Sequence, residues 1–158
     1  MKQLAGLVLV PAIALMMGCG QSRTFSDSEG NEATVSQKGD TTEVNIQSAE
    51  GEVQYSSDAT GVELPEDFPE DIPLYPDALI TTVANAPQGS LVGLEVKATP
   101  AEVMTFYEQE LAADGWEISV TTKTAEGGFF GAQKGERGLA LAIAAGEDIT
   151  TINLTTKK

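Results

Sequence analysis

From residue 79 onward the chain falls into short strand-like runs, each stopped by a turn signal. Leu79 to Ala86 is rich in Ile, Thr and Val, and in several later runs apolar residues recur at every second position. Val92, Leu94 and Val96 share one side of their run, while Glu95 and Lys97 share the other. Trp116, Ile118 and Val120 alternate with Glu117 and Ser119, and Leu139, Leu141 and Ile143 alternate with alanines. Ile152 and Leu154 continue the pattern near the C-terminus. Alternation with period two marks a strand with one buried face. Pro87-Gln88-Gly89-Ser90, Gly127-Gly128, Gly135-Glu136-Arg137-Gly138 and Gly146-Glu147-Asp148 separate these runs. Connections this tight join antiparallel neighbours, because a parallel pair needs a long crossover.

One segment breaks the pattern. Thr99-Pro100-Ala101-Glu102 carries an N-cap hydroxyl, a proline suited to the first helical position and a glutamate that completes a capping box. The helix it opens runs to about Ala113, where Asp114-Gly115 ends it. Val103, Met104, Tyr107 and Leu111 fall on one stripe, flanked by Phe106, and Glu110 reads as a rim carboxylate. The expected fold class is α+β, two-layered, with one α-helix packed on a mainly antiparallel sheet of about five to six strands.

Four regions precede or make up this domain: 1–18, 19–32, 33–61 and 62–158. The last begins with a proline-rich lead-in, Leu64-Pro65-Glu66-Asp67-Phe68-Pro69-Glu70-Asp71-Ile72-Pro73-Leu74-Tyr75-Pro76-Asp77-Ala78, which predicts an extended strap anchored by Phe68, Ile72, Leu74 and Tyr75. In 33–61, Val35, Val44, Ile46, Val53 and Tyr55 alternate between the turn signals Lys38-Gly39-Asp40 and Ala49-Glu50-Gly51. This predicts a small β-hairpin ribbon that docks on something larger, since a lone ribbon is marginal in water. Residues 19–32 are polar and acidic with the single aromatic Phe25, and read as a disordered tether. Asp27, Glu29 and Asn31 lack the glycine position and closing glutamate of a calcium loop.

Charge and composition narrow the chemistry. The chain has 158 residues, nine Lys and Arg against 24 Asp and Glu, a net charge of −15, no histidine and one cysteine, Cys19. No intrachain disulfide, imidazole base or Cys/His zinc site can be built from these residues, so no cofactor, no metal and no catalytic residue is expected. Such an acidic surface repels nucleic acid. The glycines around Lys134 do not make a phosphate loop, because Gly135 follows the lysine and strands flank the segment.

At the N-terminus, Met1-Lys2-Gln3 precedes an apolar run from Leu4 to Leu15 that is shorter than the ~20 residues of a membrane-spanning helix and reads as an export signal. It ends in Leu15-Met16-Met17-Gly18-Cys19-Gly20, which resembles the lipobox of bacterial lipoproteins, with Met16 where leucine is usual. The resemblance implies that the signal is removed before Cys19 and that the thiol carries acyl chains. It also implies that the membrane is a partner through those chains, with the periplasmic face of the outer membrane favoured over the inner membrane by Gly20. Residues 64 to 158, through Ile72-Pro73-Leu74-Tyr75-Pro76-Asp77-Ala78, Thr99-Pro100-Ala101-Glu102-Val103, Phe106-Tyr107, Leu111 and Gly115-Trp116, are similar to small bacterial envelope lipoproteins and periplasmic domains. That similarity implies a single helix across an antiparallel sheet and brings no catalytic residues.

The function expected from these features is that of a lipid-anchored, non-enzymatic envelope module for binding or assembly, with an envelope protein as partner. The alternative is a carrier or sensor that holds a small apolar ligand between helix and sheet. Tyr75, Tyr107, Trp116 and Phe130 are the candidate contacts for ligand or partner.

Overall fold

The computed structural model describes residues 20–157; the segment read as an export signal and Cys19 lie outside the described residues. Ten strands form one antiparallel sheet: β1 (Gln21–Ser26), β2 (Glu32–Lys38), β3 (Thr41–Ser48), β4 (Gly51–Ser57), β5 (Leu79–Ala86), β6 (Gly89–Val96), β7 (Glu117–Thr124), β8 (Gly127–Lys134), β9 (Arg137–Ala145) and β10 (Thr150–Lys157). The single helix among the described residues, α1 (Pro100–Ala113), follows β6 and packs against β7, β8 and β9. In space the order is β1-β2-β3-β4-β5-β6-β10-β9-β8-β7, so the last strand lies between β6 and β9.

This corrects the expected fold class. The described residues are largely β, with ten strands in one sheet and a single short helix, rather than a two-layer α+β domain of five to six strands. The reason lies in the edge of β5. Its backbone groups would otherwise face water, and β4 pairs with them from Gln54↔Asn85 to Ser57↔Thr82, fusing the ribbon to the sheet. The stretch read as a tether contributes β1, which pairs along its whole length with β2, from Gln21↔Gln37 to Ser26↔Glu32. All six of its residues are exposed, so backbone pairing and hydroxyl contacts such as Thr24 Oγ1 to Thr34 Oγ1 (3.0 Å) hold it, not burial.

The helix starts as its capping box dictates. The Thr99 hydroxyl accepts from the Glu102 amide, and the Glu102 carboxylate accepts from the Thr99 amide at 2.9 Å. Its stripe of Val103, Met104, Tyr107 and Leu111 is buried against Val92, Leu94, Phe130, Leu141, Ile152 and Leu154, all six at 0% exposure. Two hairpins depend on glycine at the start of their second strand. A Cβ on Gly89 would stand 1.9 Å from the Thr156 carbonyl oxygen, and one on Gly127 would stand 2.0 Å from that of Ile143. Bulges interrupt the register between Ile80 and Thr82 in β5 and between Ile118 and Val120 in β7.

The proline-rich lead-in also differs from expectation. It is a succession of tight turns, closed by Phe68 N–H to Pro65 O, Ile72 N–H to Pro69 O and Ala78 N–H to Tyr75 O. Each proline sets one turn dihedral and donates no hydrogen bond, which favours folding back as readily as extension. Ile72 is buried at 4% exposure, and Leu64, Phe68, Leu74 and Tyr75 pack against the core.

Candidate functional site

Where the lead-in meets the helix, a groove of about 740 Å³ opens. One wall is the Tyr75-Pro76-Asp77 turn with Leu79, and the other is the end of β6 from Glu95 to Ala98. Phe106 of α1 and Ile149 of the β9–β10 turn complete it. Pro76 and Asp77 occupy the two central positions of the turn, and Asp77 has φ +56°, the only positive value at a non-glycine residue among those described. This turn aims Tyr75 at the helix, where its ring meets Phe106 edge-on with centroids 4.9 Å apart. Phe106 in turn stands edge-on to Tyr107 at 5.1 Å, so an aromatic row runs from the groove into the core.

The groove is apolar along Tyr75, Leu79, Val96, Ala98, Phe106 and Ile149, with Asp77, Glu95 and Lys97 as charged lining residues. Its size falls within the ~300–1,000 Å³ of small-molecule sites, and a mostly apolar lining with a few polar groups is their usual chemistry. A ligand with an apolar body and a polar end matches this surface.

The four residues singled out by the sequence divide between groove and core. Tyr75 lines the groove. Tyr107 and Phe130 are at 0% exposure and Trp116 at 4%, all within the core cluster beneath the helix. The Tyr107 hydroxyl is buried without a properly aligned hydrogen-bond partner, alongside the Tyr75 main chain, and burial pushes its pKa up. Phe106, Leu79, Val96, Ala98 and Ile149 were not among the sequence candidates. Phe106 stood on the flank of the helical stripe, which was the available signal.

A second cluster bolts the lead-in to the sheet. The Trp116 indole N–H donates to the Asp71 carbonyl at 2.9 Å. The Asp71 carboxylate accepts from Arg137 Nη1 at 2.8 Å and Lys134 Nζ at 2.7 Å, and the Arg137 guanidinium lies 5.1 Å from the Trp116 ring centroid. The Arg137 hydrogen bond holds the Asp71 carboxyl well below the usual carboxylate range, against a smaller opposing effect of burial. With both carboxylate oxygens engaged by cations, this acid is a structural clasp.

Elsewhere, a hollow of about 370 Å³ on the ribbon is lined by polar side chains including Thr34, Glu43, Asn45 and Gln54. Asp27 accepts from the Glu29 and Asn31 amides and the Asn31 side chain, closing its own turn. Among the described residues no group of three or more acidic, His or Cys side chains is placed to hold a metal ion.

A family profile described as START domain-like matches residues 79–150, less than half of the chain. The matched segment contains β5 to β9 and α1 and reaches the first residue of β10. No curated protein matches the chain, and no solved structure does. The match is compatible with a small-ligand binding domain.

Proposed function

We propose that this protein is an envelope lipoprotein, acylated at Cys19, whose folded module binds a small apolar or amphipathic ligand without chemically altering it. The observation that carries the ligand reading is the groove, because seven of its ten lining residues fall within the START-like segment, and START-like domains are generally binding modules. On this reading the ligand sits at the rim between lead-in and helix, with Tyr75 and Phe106 beneath it. The anchor reading is supported by the lipobox-like Leu15-Met16-Met17-Gly18-Cys19 alone. Two or more acyl chains make such an anchor stable, and the periplasmic face of the outer membrane remains the favoured location.

The neutral fluorophore N-phenyl-1-naphthylamine tests the groove, since it is apolar and not repelled by a −15 protein. Saturable uptake is expected, and Ala98→Trp, which fills the groove, should abolish it while leaving the thermal transition in place. Uptake that never saturates, or that survives Ala98→Trp unchanged, overturns the ligand reading. Membrane fractionation of Cys19→Ser tests the anchor separately: the variant should leave the membrane fraction.

A further inference from the structure

The strand registers place every side chain of the ribbon on one of two faces, and the two are chemically opposite. On the face shared with α1, β2, β3 and β4 carry Glu32, Glu43 and Glu52 against the single cation Lys38, beside Ser, Thr, Asn and Gln. On the reverse face stand Phe25, Val35, Val44, Ile46 and Tyr55, with Arg23 among them and no carboxylate from any strand of the ribbon. Phe25 is 60% exposed, Ile46 39% and Tyr55 36%. Among the described residues no helix or strap covers this side, and an apolar patch of this kind marks an interaction surface.

We propose that the reverse face of β1–β4 lies against a lipid bilayer, with Phe25 and Tyr55 at the headgroup boundary. The proposal rests on the acylated Cys19 put forward above. β1 begins at Gln21, so at most about 7 Å of backbone separates the anchored residue from the sheet. That is too short to hold the domain clear of the membrane, and it brings the β1 edge to the lipid surface. Charge sets which face turns inward. In a chain of net charge −15, a face with one guanidinium and no carboxylate can approach anionic headgroups, whereas the opposite face is repelled. Aromatic rings with partly polar surroundings are the side chains that settle at this boundary. A second copy fits less well: the patch measures about 450 Å² from strand spacing and rise. Two copies meeting there bury about 900 Å², short of the roughly 1,200 Å² of stable interfaces.

The test uses full-length, acylated protein in vesicles of phosphatidylethanolamine and phosphatidylglycerol, with and without bromine on the acyl chains. Bromine quenches indole emission within the bilayer. The Phe25→Trp variant should be quenched severalfold more than Thr24→Trp, whose side chain projects from the same strand to the opposite face, after subtraction of the buried Trp116 signal. Equal quenching at both positions, or none at either, overturns the docking. Sedimentation with the vesicles reads the anchor independently. Protein that sediments while Phe25→Trp stays unquenched retains its anchor and loses only the docking, and protein that fails to sediment removes both. Crosslinked dimers with Phe25→Trp shielded but unquenched would give the face to a second copy and likewise overturn the proposal.

Discussion

Asp71 joins the lead-in to the far hairpin through its main chain and its side chain at once. The carbonyl takes the Trp116 indole N–H, and the carboxylate takes Arg137 and Lys134. Asp71→Asn keeps the first contact and loses the charge of the second. With the carboxylate about one-third exposed, solvent screening limits the loss to about 1 kcal/mol, read as a small fall in the urea midpoint. The pH dependence follows from the depressed pKa: the stabilisation is complete above the ordinary value of 3.8 and disappears as pH falls through the lower folded-state value. Acid titration of the folded protein should therefore show wild type losing its advantage over Asp71→Asn only below about pH 4. Tyr107 presents the reverse case. Its hydroxyl is buried and unpaired, so Tyr107→Phe removes a desolvated polar group while the ring stays packed. The expected change is between zero and about 1 kcal/mol of added stability by thermal melting. Neither role was legible in the sequence, which offers tyrosine and aspartate but not what stands opposite them.

At the level of elements, the helix was readable because its signals are local. Thr99, Pro100 and Glu102 specify its start within four residues, and the structure forms both hydrogen bonds of the box. Thr99→Ala should cost about 1 kcal/mol, measurable by chemical denaturation. Most strands of residues 79–157 were readable from alternation, β5 from its Ile, Thr and Val content, and the hairpin glycines from their place between runs. Gly127→Ala should be far more damaging than the cap change, since its Cβ meets the Ile143 carbonyl at 2.0 Å in a hairpin backbone that must then shift. Loss of more than about 3 kcal/mol, or insoluble expression, is the expected result. What sequence could not convey was the fusion of β4 to β5. Gln54 to Ser57 and Thr82 to Asn85 pair through backbone groups that every residue possesses, so no side-chain pattern announces the partner. The same holds for β1, whose Gln-Ser-Arg-Thr-Phe-Ser buries nothing. The groove was half legible: Tyr75 was found, whereas the β6 end and Ile149 reach it only through the folded path of the chain.

Across the whole molecule, stability is unevenly spread. Among the described residues, the first buried one is Ile72, so β1 to β4 contribute backbone pairing without a core of their own. Regions with few buried apolar contacts open at lower free energy than the core. In hydrogen exchange, amides of β1–β3 should exchange orders of magnitude faster than those of β9 and β10 in the detached protein. Contact with a bilayer should slow the ribbon and leave the core strands unchanged.

The position of β10 has a consequence for how the protein comes into being. Its residues follow every other strand along the chain, yet they fill the gap between β6 and β9 and supply Ile152 and Leu154 to the interior. Until they emerge, two central strands lack a neighbour and the helix has only part of its floor. The nascent polypeptide is thus kept from closing its sheet until β10 has emerged. A chain held open in this way stays threadable for longer, the condition that the export proposed for it would demand.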